Sequence, residues 1–196
     1  MKRTVVLCIL DGVGWGRKDD GNAVFSASTP VLDALVQEAS WGLLKAHGTA
    51  VGLPSDDDMG NSEVGHNAMG AGRVFDQGAK LVKNAITEGS IWRSPAWRQA
   101  VGGGTLHLLG LLSDGNVHSH ADHLRAMVVQ AEKEGVERIR IHVLTDGRDV
   151  SPRSALEYVL PLEKWLEGTG KDYRIASGGG RMHITMDRYE ADWAMV

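Results

Sequence analysis

Cysteine occurs once in the 196 residues, at Cys8. An intramolecular disulfide is therefore excluded, and a reducing compartment, the cytoplasm, is the expectation. The apolar neighbours of Cys8 mark it as a core residue. Charge of one sign is also missing: 21 basic against 25 acidic residues leave a formal −4. That balance lacks the basic footprint of a nucleic-acid binder and points to a small-molecule function. Long apolar runs are absent as well, so no membrane span is expected. The one check needed is "MKRTVVLCILDG", where two basic residues precede a short apolar stretch. It ends in Asp11 rather than a small-residue cleavage site, so it reads as a buried strand and not as a signal peptide. There are no internal repeats and no low-complexity tracts.

What is present is an alternation of strand and helix patterns. A strand over Arg3–Leu10 leads through a glycine-rich loop to "STPVLDALVQEAS", where Thr29 can cap a helix and Pro30 can take its first position. Val31, Leu32, Leu35, Val36 and Ala39 then share one helical face. After Arg73 the chain becomes more polar and mostly helical, up to the three glycines Gly102, Gly103 and Gly104. A domain crossover is expected there, with residues 1–73 in one domain and 74–196 in a second. From Thr105 come an apolar run "LHLLGLL", a helix over about 120–134, and the strand "RIRIHVL". A helix opening at "SPRSALEYVL" follows, with Ser151 as its cap and Pro152 in its first turn, and then "YRIAS". Pro161 should kink that helix or end it early. Strands alternating with helices predict an α/β fold with mostly parallel sheets.

Each of the four expected strands runs into a polar loop: Asp11, "SDGNVHSH", "DGRD" and "SGGGR". Ligands of open α/β sheets sit outside the carboxyl ends of the strands, which makes these loops candidate site segments. Asp11, where a buried strand emerges, suits a metal-binding carboxylate, although "DG" is by itself a turn signal. In "MGNSEVGHNAMGAGR", Asn61 or Ser62 falls near a helix cap, placing the Ser62 hydroxyl among unpaired N–H groups at the positive end of the dipole. A capping serine with no other role fits the same stretch. The segment is neither a Walker loop nor a nucleophile elbow, so a metal would have to replace the usual histidine base. His118, His120 and His123 match no strong zinc spacing. His118, in a strand-end loop, is the candidate for touching substrate, while His123 can line the polar face of a helix. Arg148 and Asp149 place a guanidinium fork beside a proton acceptor, and Arg181 and Arg188 add two more cations; surface ion pairs are the plain alternative for each. Together they favour an anionic substrate.

The stretches "LDGVGWG", "MGNSEVGHNAMGAGR", "LLSDGNVHSHADHL", "TDGRDVSP" and "GGRMHITMDRYEADW" run over almost the whole chain. On them, the sequence resembles the cofactor-independent phosphoglycerate mutases of the alkaline phosphatase superfamily. The resemblance implies an alkaline-phosphatase-like domain with an inserted α/β transferase domain, both incomplete here. It also implies exchange of phosphate between 3-phosphoglycerate and 2-phosphoglycerate through a phosphoserine. Carried over position by position, Asp11 is a metal ligand and Ser62 is the nucleophile that also ligates the metal. His118, Arg148, Asp149, Arg181 and Arg188 contact substrate. The family implies two divalent metal ions, manganese or magnesium, no need for 2,3-bisphosphoglycerate, and a monomeric complete enzyme. Family members are much longer, so this stretch is expected to be inactive alone. A non-catalytic fragment that still binds phosphoglycerate, or a metal-dependent phosphatase of the same superfamily, are the other readings.

Overall fold

The structure, a computed structural model, describes residues 3–38 and 41–185. It divides into two compact units, residues 1–45 and 46–196. Within the second unit, residues 46–77 are tied together. Gln77 donates its backbone N–H to Gly52 O at 2.9 Å and its side-chain amide to Val51 O at 3.1 Å. Val51, Leu53 and Val64 form a small buried cluster in the same stretch.

In the first unit, residues 3–10 form no strand, contrary to the sequence reading, and Val5, Val6 and Leu7 are 89, 84 and 71% exposed. A strand needs a neighbour to satisfy its N–H and C=O groups, and no described residue of this unit supplies one. Cys8 is likewise exposed rather than in a core. Two helices do form, α1 (Ala23–Ser26) and α2 (Pro30–Glu38). Asn22 caps α1, its side-chain oxygen accepting from Val24 N and Phe25 N. Pro30 starts α2 as expected, but α2 contains no buried residue, and its apolar Val31 and Leu35 face solvent. Ala39 lies outside the described residues.

The second unit begins with a 3-10 turn at Gly48–Val51 and continues through α3 (Ser62–Ala71), α4 (Gly78–Thr87) and α5 (Pro95–Val101). It then alternates β1 (Thr105–Leu112), α6 (Ala121–Lys133), β2 (Arg138–Thr145), α7 (Ala155–Gly168) and β3 (Asp172–Gly180), closing with α8 (Arg181–Ile184). The strands pair in the order β1-β2-β3, all parallel. This is the predicted α/β architecture, with three strands in place of the four expected. Leu106, Ile139 and Tyr173 are register partners. They share one core with Trp97 of α5, Val128 and Ala131 of α6, and Leu162 and Leu166 of α7. All three helices therefore cover the same face of the sheet; for the two crossover helices, α6 and α7, right-handed connections in sequential order require it. On the opposite face, His107, His142 and Ser177 form a hydrogen-bonded row across the three strands.

The pairing of β2 with β3 is interrupted once. Ile141 pairs with Ile175, and the next pair is His142 with Ser177, leaving Ala176 as an extra residue. Two further expectations change. The helix after β2 starts at Ala155, not near Pro152: residues 152–153 form a separate turn closed by Ser154 N on Ser151 O at 3.1 Å, and Ser154 takes the cap position without a side-chain cap bond. Nor does Pro161 end it: α7 runs on to Gly168, with Leu162 and Leu166 anchored in the core just beyond the proline. Core packing outweighs one lost helical hydrogen bond.

Candidate active site

Three loops of the second unit meet at the carboxyl ends of the strands, and their organising residue is Asp146, which the sequence reading did not single out. Its side chain is 1% exposed. One carboxylate oxygen accepts from Arg148 N at 3.0 Å, Asp149 N at 2.9 Å and Arg181 Nη1 at 2.8 Å. The other accepts from Ser113 Oγ at 2.5 Å. Asp146 thus folds the loop after β2 into a tight Asx turn, in which Gly147 takes a left-handed φ of 67°. It also ties that turn to the ends of β1 and β3. Ser113 in turn accepts from Gly115 N at 3.0 Å. A Cβ at Gly115 would lie 3.1 Å from Asp149 Cβ, so glycine lets the loop after β1 close on the loop after β2.

Arg181 stands at the start of α8 with its side chain only 7% exposed. Its Nη1 donates to Asp146 and, at 2.7 Å, to Asp149 Oδ2, so two of the candidate residues, Asp149 and Arg181, are in direct contact. Burial alone would raise the Asp146 pKa, yet the bonds from Ser113, the two backbone amides and Arg181 outweigh it and hold the carboxyl below its ordinary range. For Arg181, burial disfavours the charge, and the two carboxylates more than restore it. The cluster is therefore ionised on both sides, with one guanidinium nitrogen clamped in a fixed orientation.

Arg148 is exposed on the same turn. His118 is exposed in the loop after β1 and lines a cleft of about 640 Å3 together with Val82 of α4, Leu124 and Met127 of α6 and the edge of β1. His123 lies on α6 as expected. Burial pushes its imidazole pKa down. Arg188 lies outside the described residues.

Ser62 is the first residue of α3 and is exposed. Asn61 supplies the cap, its side-chain oxygen accepting from Val64 N at 2.9 Å, so the serine hydroxyl is not needed for that role. Ser62 lies in the first turn of this ten-residue helix, at the positive end of its dipole. Asp11 belongs to the first unit. Among the described residues no group of three or more His, Cys, Asp and Glu side chains could hold a metal ion. A two-metal set needs more ligands than Asp11 and Ser62, so these residues do not by themselves fit one.

Sequence reasoning found the ends of the cluster and missed its centre. The available signal was the same one applied to Asp11: a carboxylate emerging from a buried strand, here after Val143–Leu144–Thr145. Ser113, one residue past β1, carried the matching signal.

Comparison with known proteins is consistent with this geometry. Over 99% of its length the chain is 57% identical to a probable 2,3-bisphosphoglycerate-independent phosphoglycerate mutase of Leptospira interrogans. It is 52% identical, over the same share, to the 2,3-bisphosphoglycerate-independent phosphoglycerate mutase of Zea mays. The chain spans 37% and 36% of the lengths of these relatives. A solved structure of Leishmania mexicana phosphoglycerate mutase, obtained at low cobalt concentration, superposes with a TM-score of 0.85 at 51% identity, covering 96% of this chain and 36% of that one. Residues 82–196 match the family described as BPG-independent PGAM N-terminus, and the chain belongs to that family.

Proposed function

We propose that the complete protein interconverts 3-phosphoglycerate and 2-phosphoglycerate through a phosphoserine at Ser62, without 2,3-bisphosphoglycerate. The observation that carries this reading is the clamped Arg181. The Asp146 and Asp149 bonds use only Nη1, leaving the remaining fork to grip an anionic group of the substrate. Arg148 and Arg188 join in holding the carboxylate and phosphate, and His118 orients the glycerate. Asp149, anchored by Arg181, lies at the site as acceptor for the hydroxyl proton. In the first half-reaction the Ser62 Oγ–P bond forms as the substrate's O–P bond breaks, the serine hydroxyl giving up its proton and the released glycerate oxygen taking one up, which yields glycerate and phosphoserine. In the second, the other glycerate hydroxyl takes the phosphoryl group and Ser62 is restored. Asp11 and Ser62 would each offer an oxygen ligand to a divalent ion, manganese or magnesium, which would supply charge stabilisation for the transferring group. The domains are then 1–73 and 74–196. The protein is monomeric and acts in the cytoplasm.

The test uses the full-length protein, incubated with 3-phosphoglycerate, quenched in acid and mapped by mass spectrometry. Phosphate on Ser62 is expected, and Ser62→Ala should abolish turnover. Phosphate on another residue, or activity surviving in Ser62→Ala, would sink the proposal. Stoichiometric release of inorganic phosphate in place of isomerisation would convert it to a phosphatase.

A further inference from the structure

Asn116 is the one non-glycine residue with a left-handed backbone among the described residues, at φ 53°. Asparagine tolerates this region better than most residues, but glycine adopts it at no cost, so a side chain there needs a reason. The structure gives one. Asn116 Nδ2 donates to Asp58 Oδ1, across 58 positions of sequence. Asp58 is held from the other side, where its Oδ2 accepts from Ser55 N at 2.7 Å and Ser55 Oγ at 2.8 Å. One partner belongs to the segment that leads into α3 and Ser62, with its own small core of Val51, Leu53 and Val64. The other lies two residues before His118, in the loop that grows from the main core. The first turn of α3, through Asn61, Glu63 and Val64, and Asn116 with Val117 flank one cleft of about 130 Å3.

We infer that Asn116 and Asp58 are positioning residues: their hydrogen bond fixes the His118 loop against the Ser62 segment, and so sets the acceptor hydroxyl in line with the phosphoryl group. This rests on the phosphoserine reading above. The bond joins two separately cored pieces, so its loss would leave each piece folded while loosening the distance between them. A loosened acceptor lets water compete for the phosphoserine: the Oγ–P bond breaks, a water oxygen bonds to phosphorus, and Ser62 regains its proton. The carboxylate acceptor makes the bond a charge-assisted one, and burial, which opposes ionisation of Asp58, is outweighed by the bonds from Asn116 and Ser55.

Asn116→Gly in the full-length protein separates the two roles of this residue, because glycine keeps the left-handed backbone and removes only the amide. Its melting temperature should fall by only a few degrees, since each piece keeps its own core. Its kcat should fall about tenfold, the scale of one hydrogen bond to a charged group, with KM little changed. Phosphate release per mutase turnover should rise. The exchanged pair Asp58→Asn with Asn116→Asp restores donor and acceptor in reverse and should recover most of the loss. An active parent whose Asn116→Gly variant keeps its kcat and its release ratio overturns the positioning role alone. The same holds if the exchanged pair recovers nothing. A parent without mutase activity overturns the phosphoserine reading and the positioning role with it.

Discussion

Replacing Asp146 by alanine in the full-length protein removes the acceptor of four hydrogen bonds at once: from Ser113, the amides of Arg148 and Asp149, and Arg181. The carboxylate is 1% exposed and its guanidinium partner 7%, so solvent screening does little to discount the loss. Crediting each bond with the 1.5–3 kcal/mol of a charged hydrogen bond would overshoot, because Arg181 keeps Asp149 and water can enter. The better guide is removal of one member of a buried ion pair, which costs about 3–5 kcal/mol when the remaining charge is uncompensated; the surviving Asp149 contact places the loss near the lower end of that range. Native-state hydrogen exchange reads this locally, in the peptides of β1, β2 and β3, whatever the rest of the enzyme does. At 1.36 kcal/mol per decade, amides that open with the whole sheet should exchange roughly 10² to 10³-fold faster or more. Removing Arg181 as well, by Asp146→Ala with Arg181→Met, should cost less than the two single changes added together, since the stranded charge is gone. Exchange within about threefold of the parent for Asp146→Ala would refute the claim that this carboxylate organises the loops.

Two further outcomes follow from the same geometry. The depressed Asp146 pKa stabilises the fold fully above the unfolded carboxylate's pKa near 3.8, and that contribution drains away as pH falls through the lower folded value; Asp146→Asn should therefore show a flatter loss of stability below about pH 4 in acid melts, and parallel curves would contradict this. Pro161 is exposed within α7 and removes one backbone donor, so Pro161→Ala should raise stability by about 1–3 kcal/mol in urea denaturation, and a destabilised variant would show that α7 depends on the ring.

The three strands and their helices were legible because each is written locally. Apolar runs such as Ile139, Ile141 and Val143 alternate with polar residues, and α6 keeps Val128 and Ala131 at helical spacing. The loops that carry His118, Arg148, Asp149 and Arg181 followed from strand ends. What escaped was non-local. Asp146 and Ser113 are 33 positions apart, and nothing in either neighbourhood names the other. The strand expected at residues 3–10 was misjudged for a related reason: its apolar residues specify a strand only when another strand lies beside it. The start of α7 differs from the expectation because Ser151 and Ser154 offer the same side chain in sequence, and only the backbone turn closed between them separates the two.

The extra residue Ala176 carries a consequence for how this stretch can vary. Side chains alternate across a strand with a period of two, so one unpaired position reverses the phase of everything after it. Tyr173 and Ile175, ahead of the irregularity, point into the core, and the chain beyond it delivers Arg181 to Asp146. Chain length between Ile175 and Arg181 is thus a coding quantity in its own right. Substitutions along Ser177–Gly180 would be read one at a time, as local losses. A single-residue deletion there would leave the hydrophobic layer intact and carry the guanidinium away from its carboxylates, yielding a protein that folds without the Asp146–Arg181–Asp149 cluster.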